Sequence, residues 1–255
     1  MMLKITERCT MGCSHCLNDA KPDGKDMDEK TLIDSLNFLK ANNIGRTLVL
    51  SGGEPTEHRN FDLMMETLIN WCYENQGYIS ILTITTNGEN IQKDYKPFVD
   101  YKDRLHKLGT MLNYQVSADT RYYPRRIETH KRIFREPGFV LCDNCVEHIY
   151  PIGRALDNNI PYFRLSSQCF NVRALSKQGC DTLDKIERIL LSRGKTCTPH
   201  IGIDGSIKLG ESDLCPTCAS IYDDPKDIIE KIQKFKCAKC NHINDKLPEQ
   251  YKKFL

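Results

Sequence analysis

Two periodicities take turns along the first half of the chain. Short runs rich in apolar and β-branched residues, at 3–5, 47–50, 79–86 and 111–116, have the make-up of strands. Between them apolar residues recur at helical spacing. Leu32, Leu36 and Leu39 share one face of 28–42, and Met65, Leu68, Ile69 and Cys72 share one face of the following stretch. Asp26 and Glu29 stand at capping-box spacing before the first helix, and Asn60 is placed to cap the second. A less regular helix is predicted over 97–108, and a fourth over 125–135 that stops before Pro137-Gly138. Strands at 139–141 and 149–150 then lead into Pro151-Ile152-Gly153-Arg154-Ala155. Alternating strand and helix predicts βα units, a parallel sheet and an α/β fold class.

After about residue 160 the pattern becomes cysteine-punctuated and less regular. A helix is predicted over 181–193 with Gly194 as its stop, and Asp204-Gly205 signals a hairpin within 201–209. Asp224-Pro225 opens a last helix with Ile228, Ile229, Ile232 and Phe235 facing inward. The expected organisation is an α/β domain over 1–160 and a small cysteine-rich α+β module over 161–255, without internal repeats.

Composition narrows the function. At 255 residues the chain can bury a large core, and a formal charge of +2 gives no overall pull toward nucleic acid or an anionic membrane. No window approaches the roughly 18 consecutive apolar residues of a membrane span, and the N-terminus lacks a secretion pattern. Thirteen cysteines in that setting point to metal or redox chemistry in a reducing compartment, so a soluble cytoplasmic protein is expected.

Directly behind the first strand, Cys9, Cys13 and Cys16 put three soft ligands on one tight loop. Structural zinc takes four ligands, and His15, adjacent to Cys16, is poorly placed to be the fourth. An iron–sulfur cluster normally takes four thiolates, so three leave one iron open. Core thiols or half a zinc site are the alternatives. Ser51-Gly52-Gly53-Glu54-Pro55 follows the second strand run, where two glycines let backbone pass close to a ligand and Glu54 is expected to be exposed. The next two runs end in Thr85-Thr86-Asn87-Gly88 and Ser117-Ala118-Asp119, which serve equally well as a turn and a helix cap.

The spacing C-x3-C-x2-C, followed in order by Gly-Gly-Glu, closely resembles the radical S-adenosylmethionine (SAM) enzymes. The resemblance implies a partial (βα)6-type barrel and a [4Fe–4S] cluster on Cys9, Cys13 and Cys16, whose open iron is chelated by the amino and carboxylate groups of SAM. It implies that Gly52, Gly53 and Glu54 meet the methionyl amino group, and that Thr86, Asn87, Ser117 and Asp119 line the SAM site, together with His15 and Arg154. Pro151-Ile152-Gly153-Arg154-Ala155 resembles the segment that closes the barrel in the branch with an extra cluster domain. Only about fifteen residues separate it from the fourth predicted helix, which suggests a trimmed barrel. The resemblance covers about 3–155 and, more loosely, 197–240.

Cys197, twelve residues, Gly210, four residues and Cys215 resemble the opening of the auxiliary-cluster modules called SPASM or twitch domains. Cys218, Cys237 and Cys240 complete two C-x2-C pairs eighteen residues apart, though not the full seven-cysteine pattern. One auxiliary [4Fe–4S] cluster from these five cysteines is favoured. A zinc ribbon is the alternative, in which Cys197 has no use. Cys142 and Cys145 form a further pair, by default inert thiols, otherwise redox groups or hydrogen-atom donors. Six Arg or Lys against one Glu over 121–135 make either a solvated face or a steering patch for an acidic peptide or phosphate.

By resemblance, a ferredoxin- or flavodoxin-type donor reduces the cluster, SAM is cleaved, and the resulting 5′-deoxyadenosyl radical takes hydrogen from an unactivated carbon. The expected substrate is a peptide or protein side chain, held by a separate partner or by the C-terminal module. The alternatives are a nucleotide, RNA base or small metabolite and, from another class, a zinc-ribbon interaction protein.

Overall fold

The computed structural model describes residues 1–118, 121–125, 128, 131–142, 153–160, 181–192, 199–210 and 212–235. Five parallel strands lie side by side in chain order: β1 (Met2–Thr6), β2 (Thr47–Gly52), β3 (Ile81–Thr86), β4 (Met111–Ser117) and β5 (Phe139–Cys142). Helix α1 (Glu29–Ala41) links β1 to β2, α2 (Phe61–Glu74) links β2 to β3, and α3 (Glu89–Lys93) with α4 (Lys96–Lys107) links β3 to β4. Parallel crossovers are right-handed, so a sheet that always advances in one direction gathers its helices on one face. Leu48 and Leu50, Leu82 and Ile84, and Leu112 and Tyr114 are buried in one core with Leu32, Leu36, Met65 and Leu68. The alternate residues Ser51, Thr83, Thr85, Asn113, Gln115 and Ser117 are half-buried on the other face. That more polar face carries the site.

The C-terminal strands extend the same sheet from its other side. Strand β6 (His200–Ile201) runs parallel to β1, with Met2 opposite His200 and Leu3 opposite Ile201. Then β7 (Ser206–Lys208) and β8 (Thr217–Ser220) follow antiparallel, giving the order β5-β4-β3-β2-β1-β6-β7-β8 among the described residues. The Asp204-Gly205 turn forms as expected. Gly205 adopts φ +78°, and Asp204 Oδ1 accepts from Ser206 N at 3.0 Å. Among the described residues three further helices are α5 (Arg154–Asp157), α6 (Leu183–Ser192) and α7 (Pro225–Lys234). Ile228 and Ile232 of α7 join Leu183, Ile186 and Ile207 in the main core, while Ile229 and Phe235 are only partly buried. No helix among the described residues is long and apolar enough to cross a membrane.

Several local expectations are corrected. The α1 cap is Asp28, whose Oδ1 accepts from Thr31 N at 2.6 Å; Asp26 is instead held by Thr6 Oγ1 at 2.5 Å, and Glu29 by Thr67 Oγ1. Asn60 occupies the α2 cap position, but its side chain makes no capping bond. In place of a fourth helix over 125–135, the described residues hold one 3-10 turn, Arg132–Arg135. The backbone there is tied outward: Glu128 N donates to Gln92 Oε1 at 2.5 Å, and Arg125 binds the Glu89 carboxylate with Nε at 2.6 Å and an Nη at 3.0 Å. The basic stretch is thus partly self-neutralised, since Lys131 and Arg132 also pair with Glu128 and Glu136. The strand expected at 149–150 lies outside the described residues.

Candidate functional site

The loop after β1 is pinned by its backbone, which leaves its thiols for other work. Cys9 N donates to Lys21 O at 3.0 Å. The Glu57 carboxylate takes Thr10 N at 2.8 Å and Thr10 Oγ1 at 2.9 Å. Ser14 N donates to Tyr122 O, Asn158 Nδ2 to Ser14 O at 2.8 Å, and Arg154 N to Cys16 O at 3.0 Å. A Cβ on Gly153 (φ +60°) would lie 2.6 Å from Cys16 O, so only glycine lets this segment approach. Burial pushes the Cys9 and Cys13 thiols up to about 12, so at neutral pH both are protonated in the metal-free chain and a metal would displace protons on binding.

The turn after β2 continues the pairing with the β1 side. Gly53 N donates to Thr6 O and Glu54 N to Arg8 O, both at 2.7 Å. A Cβ on Gly52 would fall 2.1 Å from Thr6 O, and one on Gly53 2.2 Å from Arg8 O. The glycines therefore allow strand against loop, not only ligand against strand.

Glu54 overturns the expectation of an exposed carboxylate, being 2% exposed. Its Oε1 takes Thr56 N at 3.1 Å, Thr56 Oγ1 at 2.7 Å and Thr86 Oγ1 at 2.7 Å, and its Oε2 takes Asn87 N at 2.6 Å. Thr56 Oγ1 itself accepts from Asn90 Nδ2 and Thr86 Oγ1 from Gly88 N, so both hydroxyl protons are directed at Glu54. Burial pushes this carboxyl above the ordinary carboxylate range, against the pull of those donors.

A cavity of about 210 Å³ joins these parts. Cys9, Cys13, Cys16, His15, Gly52, Gly53, Glu54, Thr86, Asn87, Ser117 and Arg154 all line it. Among the described residues Asn87 Nδ2 is a buried donor without a partner. Asp119 lies outside the described residues. The wall also contains Met11, Asn18, Ser51, Thr85 and Tyr123, which the sequence did not single out. The His15 ring lies 5.4 Å from that of Tyr122 and 5.1 Å from that of Tyr123. Ser51 and Thr85 were findable as neighbours of predicted residues on an open strand face, whereas Tyr123 arrives from a loop with no local signal. Among the described residues no three Cys, His, Asp or Glu side chains converge as a formed metal site; the three thiols share a wall.

Of the second cysteine set, Cys215 lies just before β8 and Cys218 within it, both half-buried, and Cys197, Cys237 and Cys240 lie outside the described residues. Cys142 ends β5 opposite Ser117, with Gln115 Nε2 donating to its Sγ at 3.3 Å; Cys145 is outside the described residues.

Several known proteins are similar to this chain. An uncharacterized protein of Methanocaldococcus jannaschii, MJ0907, is 32% identical over 94 residues, which is 36% of this chain and 32% of that protein's length. Streptococcus suis SuiB, in a crystal structure with its precursor peptide SuiA, superposes with a TM-score of 0.53 at 16% identity, over 97% of this chain and 73% of SuiB. BtrN in an open conformation matches with a TM-score of 0.46 at 15% identity, over 97% of this chain and 85% of BtrN. The family model of the radical SAM superfamily matches residues 3–137, more than half of the chain. This chain therefore belongs to the radical SAM superfamily.

Proposed function

We propose that the enzyme holds its cluster on Cys9, Cys13 and Cys16, binds SAM across Gly52, Gly53 and Glu54, and abstracts hydrogen from a peptide or protein side chain. What carries this is the meeting of all three thiols with the Gly52–Glu54 turn in one cavity. The residues fit the groups. Three soft donors on one loop suit an iron–sulfur cluster with an open iron. The orphan Asn87 Nδ2 is a donor awaiting one of the acceptors that SAM carries. When bound, the cluster and SAM supply a one-electron cleavage that makes a hydrogen-abstracting radical at the adenosyl 5′ carbon.

The chain's own part is binding and positioning. Glu57, Asn158 and Arg154 fix the loop. Glu54, already polarised by two hydroxyls and two amides, offers negative charge to the methionyl ammonium. Ser117 completes the far wall. The part of the chain after residue 160 is an auxiliary-cluster module on Cys197, Cys215, Cys218, Cys237 and Cys240, and a ferredoxin or flavodoxin supplies the electron. The peptide reading rests on the Pro-Ile-Gly-Arg-Ala segment and on that cysteine set; likeness to SuiB is likeness of fold. Ion pairing of Arg125, Lys131 and Arg132 weighs against a nucleic-acid substrate.

The test uses the short peptide encoded nearest the gene, deuterated in its side chains. Reduced, cluster-loaded enzyme is expected to move deuterium from the peptide into 5′-deoxyadenosine. Unlabelled 5′-deoxyadenosine with that peptide, and label transfer from a deuterated nucleoside instead, would overturn the substrate class.

A further inference from the structure

Asn18, two residues beyond Cys16, joins three separate elements through one side chain. Its Nδ2 donates to Gly52 O at 2.9 Å, and its Oδ1 accepts from Lys4 Nζ of β1 at 2.8 Å and from Asp213 N at 3.0 Å. The amide has one possible orientation, because a flip would set its NH2 against an ammonium and a backbone N–H that can only donate. Lys4 is 1% exposed, and its ammonium also pairs with Asp213 Oδ1 at 3.2 Å. Ser212 Oγ donates to Leu17 O at 2.6 Å. The segment just ahead of Cys215 is thereby docked on the exit of the cluster loop. Asn18 itself lines the cavity.

We propose that Asn18 is a positioning residue for SAM cleavage: its two amide edges set the separation of the Cys16 end of the loop from the Gly52-Gly53 turn, with residues 212–213 as the second anchor. This rests on the SAM placement given above, in which the loop carries the iron side of the cofactor and the turn carries its methionyl side. A ligand held at both ends feels any change in their spacing. The energy of one net hydrogen bond is enough to matter, because hydrogen bonds lost at a preorganised site are lost from binding.

The experiment compares wild type with Asn18→Ala, Asn18→Asp and Ser212→Ala, each reconstituted anaerobically. Iron content, the SAM dissociation constant by calorimetry and the EPR spectrum of the reduced cluster with and without SAM are recorded. Asn18→Ala is expected to keep its loop cluster, bind SAM about tenfold more weakly, and show a broadened or absent SAM-induced change in the spectrum. Asn18→Asp keeps the Oδ1 acceptor and loses the bond to Gly52 O, so it should show the same change. Ser212→Ala, which loosens only the second anchor, should show a smaller one. Wild-type SAM affinity and spectra in both Asn18→Asp and Ser212→Ala overturn the inference, even if Asn18→Ala fails to fold. If the wild type itself shows no spectral response to SAM, the SAM placement fails first and the inference falls with it.

Discussion

Thr86 Oγ1 donates to Glu54 Oε1 at 2.7 Å, joining the ends of two neighbouring strands through a carboxylate buried to 2% exposure. Glu54 therefore serves the fold as well as the ligand contact proposed for it. In Glu54→Gln an NH2 must face either Asn87 N or the two threonine hydroxyls, all of which donate. We expect a loss of about 1.5–3 kcal/mol in urea unfolding, the scale of hydrogen bonds to a charged group, along with weaker SAM binding by calorimetry. Full stability with weakened binding would return Glu54 to a purely ligand-facing role.

The two glycines before Glu54 should tolerate no side chain. Gly53→Ala places a Cβ 2.2 Å from Arg8 O, and backbone on both sides leaves little room to give. A loss above about 3 kcal/mol is expected, the range where single changes are diagnostic. Gly12→Ala is the control: its Cβ meets nothing within 4 Å, but φ is +71°, so the left-handed penalty of about 1–2 kcal/mol should be the whole effect. Equal losses in the two variants would mean that the close approach of β2 to the β1 side is not what the glycine serves.

Stability should decline in mild acid because of His200. This ring is fully buried, and its pKa is lowered by burial and by the Lys4 charge, against the pull of Asp213 and Gly210 O. With the folded pKa below the unfolded value of about 6.5, the unfolded chain takes up the proton first, so stability is present above that pH and lost as pH falls through and below it. Unfolding free energy measured between about pH 7 and 5 should fall more steeply in wild type than in His200→Gln. Parallel curves would remove His200 from the account.

Much of this was legible in the sequence, for physical reasons that also mark the limits. Strands β1 to β4 and helices α1, α2 and α4 announce themselves because burial against one helical layer imposes a local periodicity. The thiol loop and Gly-Gly-Glu were legible because the chemistry needs rare residue types close together. Burial of Glu54 was not, because its four donors come from two separate segments. Asp28 displaced Asp26 as the cap when Thr6, twenty residues earlier, engaged Asp26. The pairing of His200–Ile201 with β1 joins two residues to a strand nearly two hundred positions away, and no local pattern encodes it. Asn18 and Glu57 are ordinary polar residues in sequence; only the fold shows what they clamp.

The C-terminal cysteines make a countable prediction. With an auxiliary cluster on Cys197, Cys215 and their partners, anaerobically reconstituted protein should hold about eight irons, at four per cluster, and Cys197→Ala should disturb the second cluster. One tightly held zinc, about four irons and indifference to Cys197→Ala would assign the ribbon instead.

The central claim is that Cys9, Cys13 and Cys16 carry the cluster that drives SAM cleavage. The most direct measurement is 5′-deoxyadenosine formed from SAM under dithionite by wild type and by the variant with all three cysteines changed to alanine. The account predicts turnover in the wild type and none in the variant, with the loss of about four irons. Undiminished 5′-deoxyadenosine from the triple variant would contradict it.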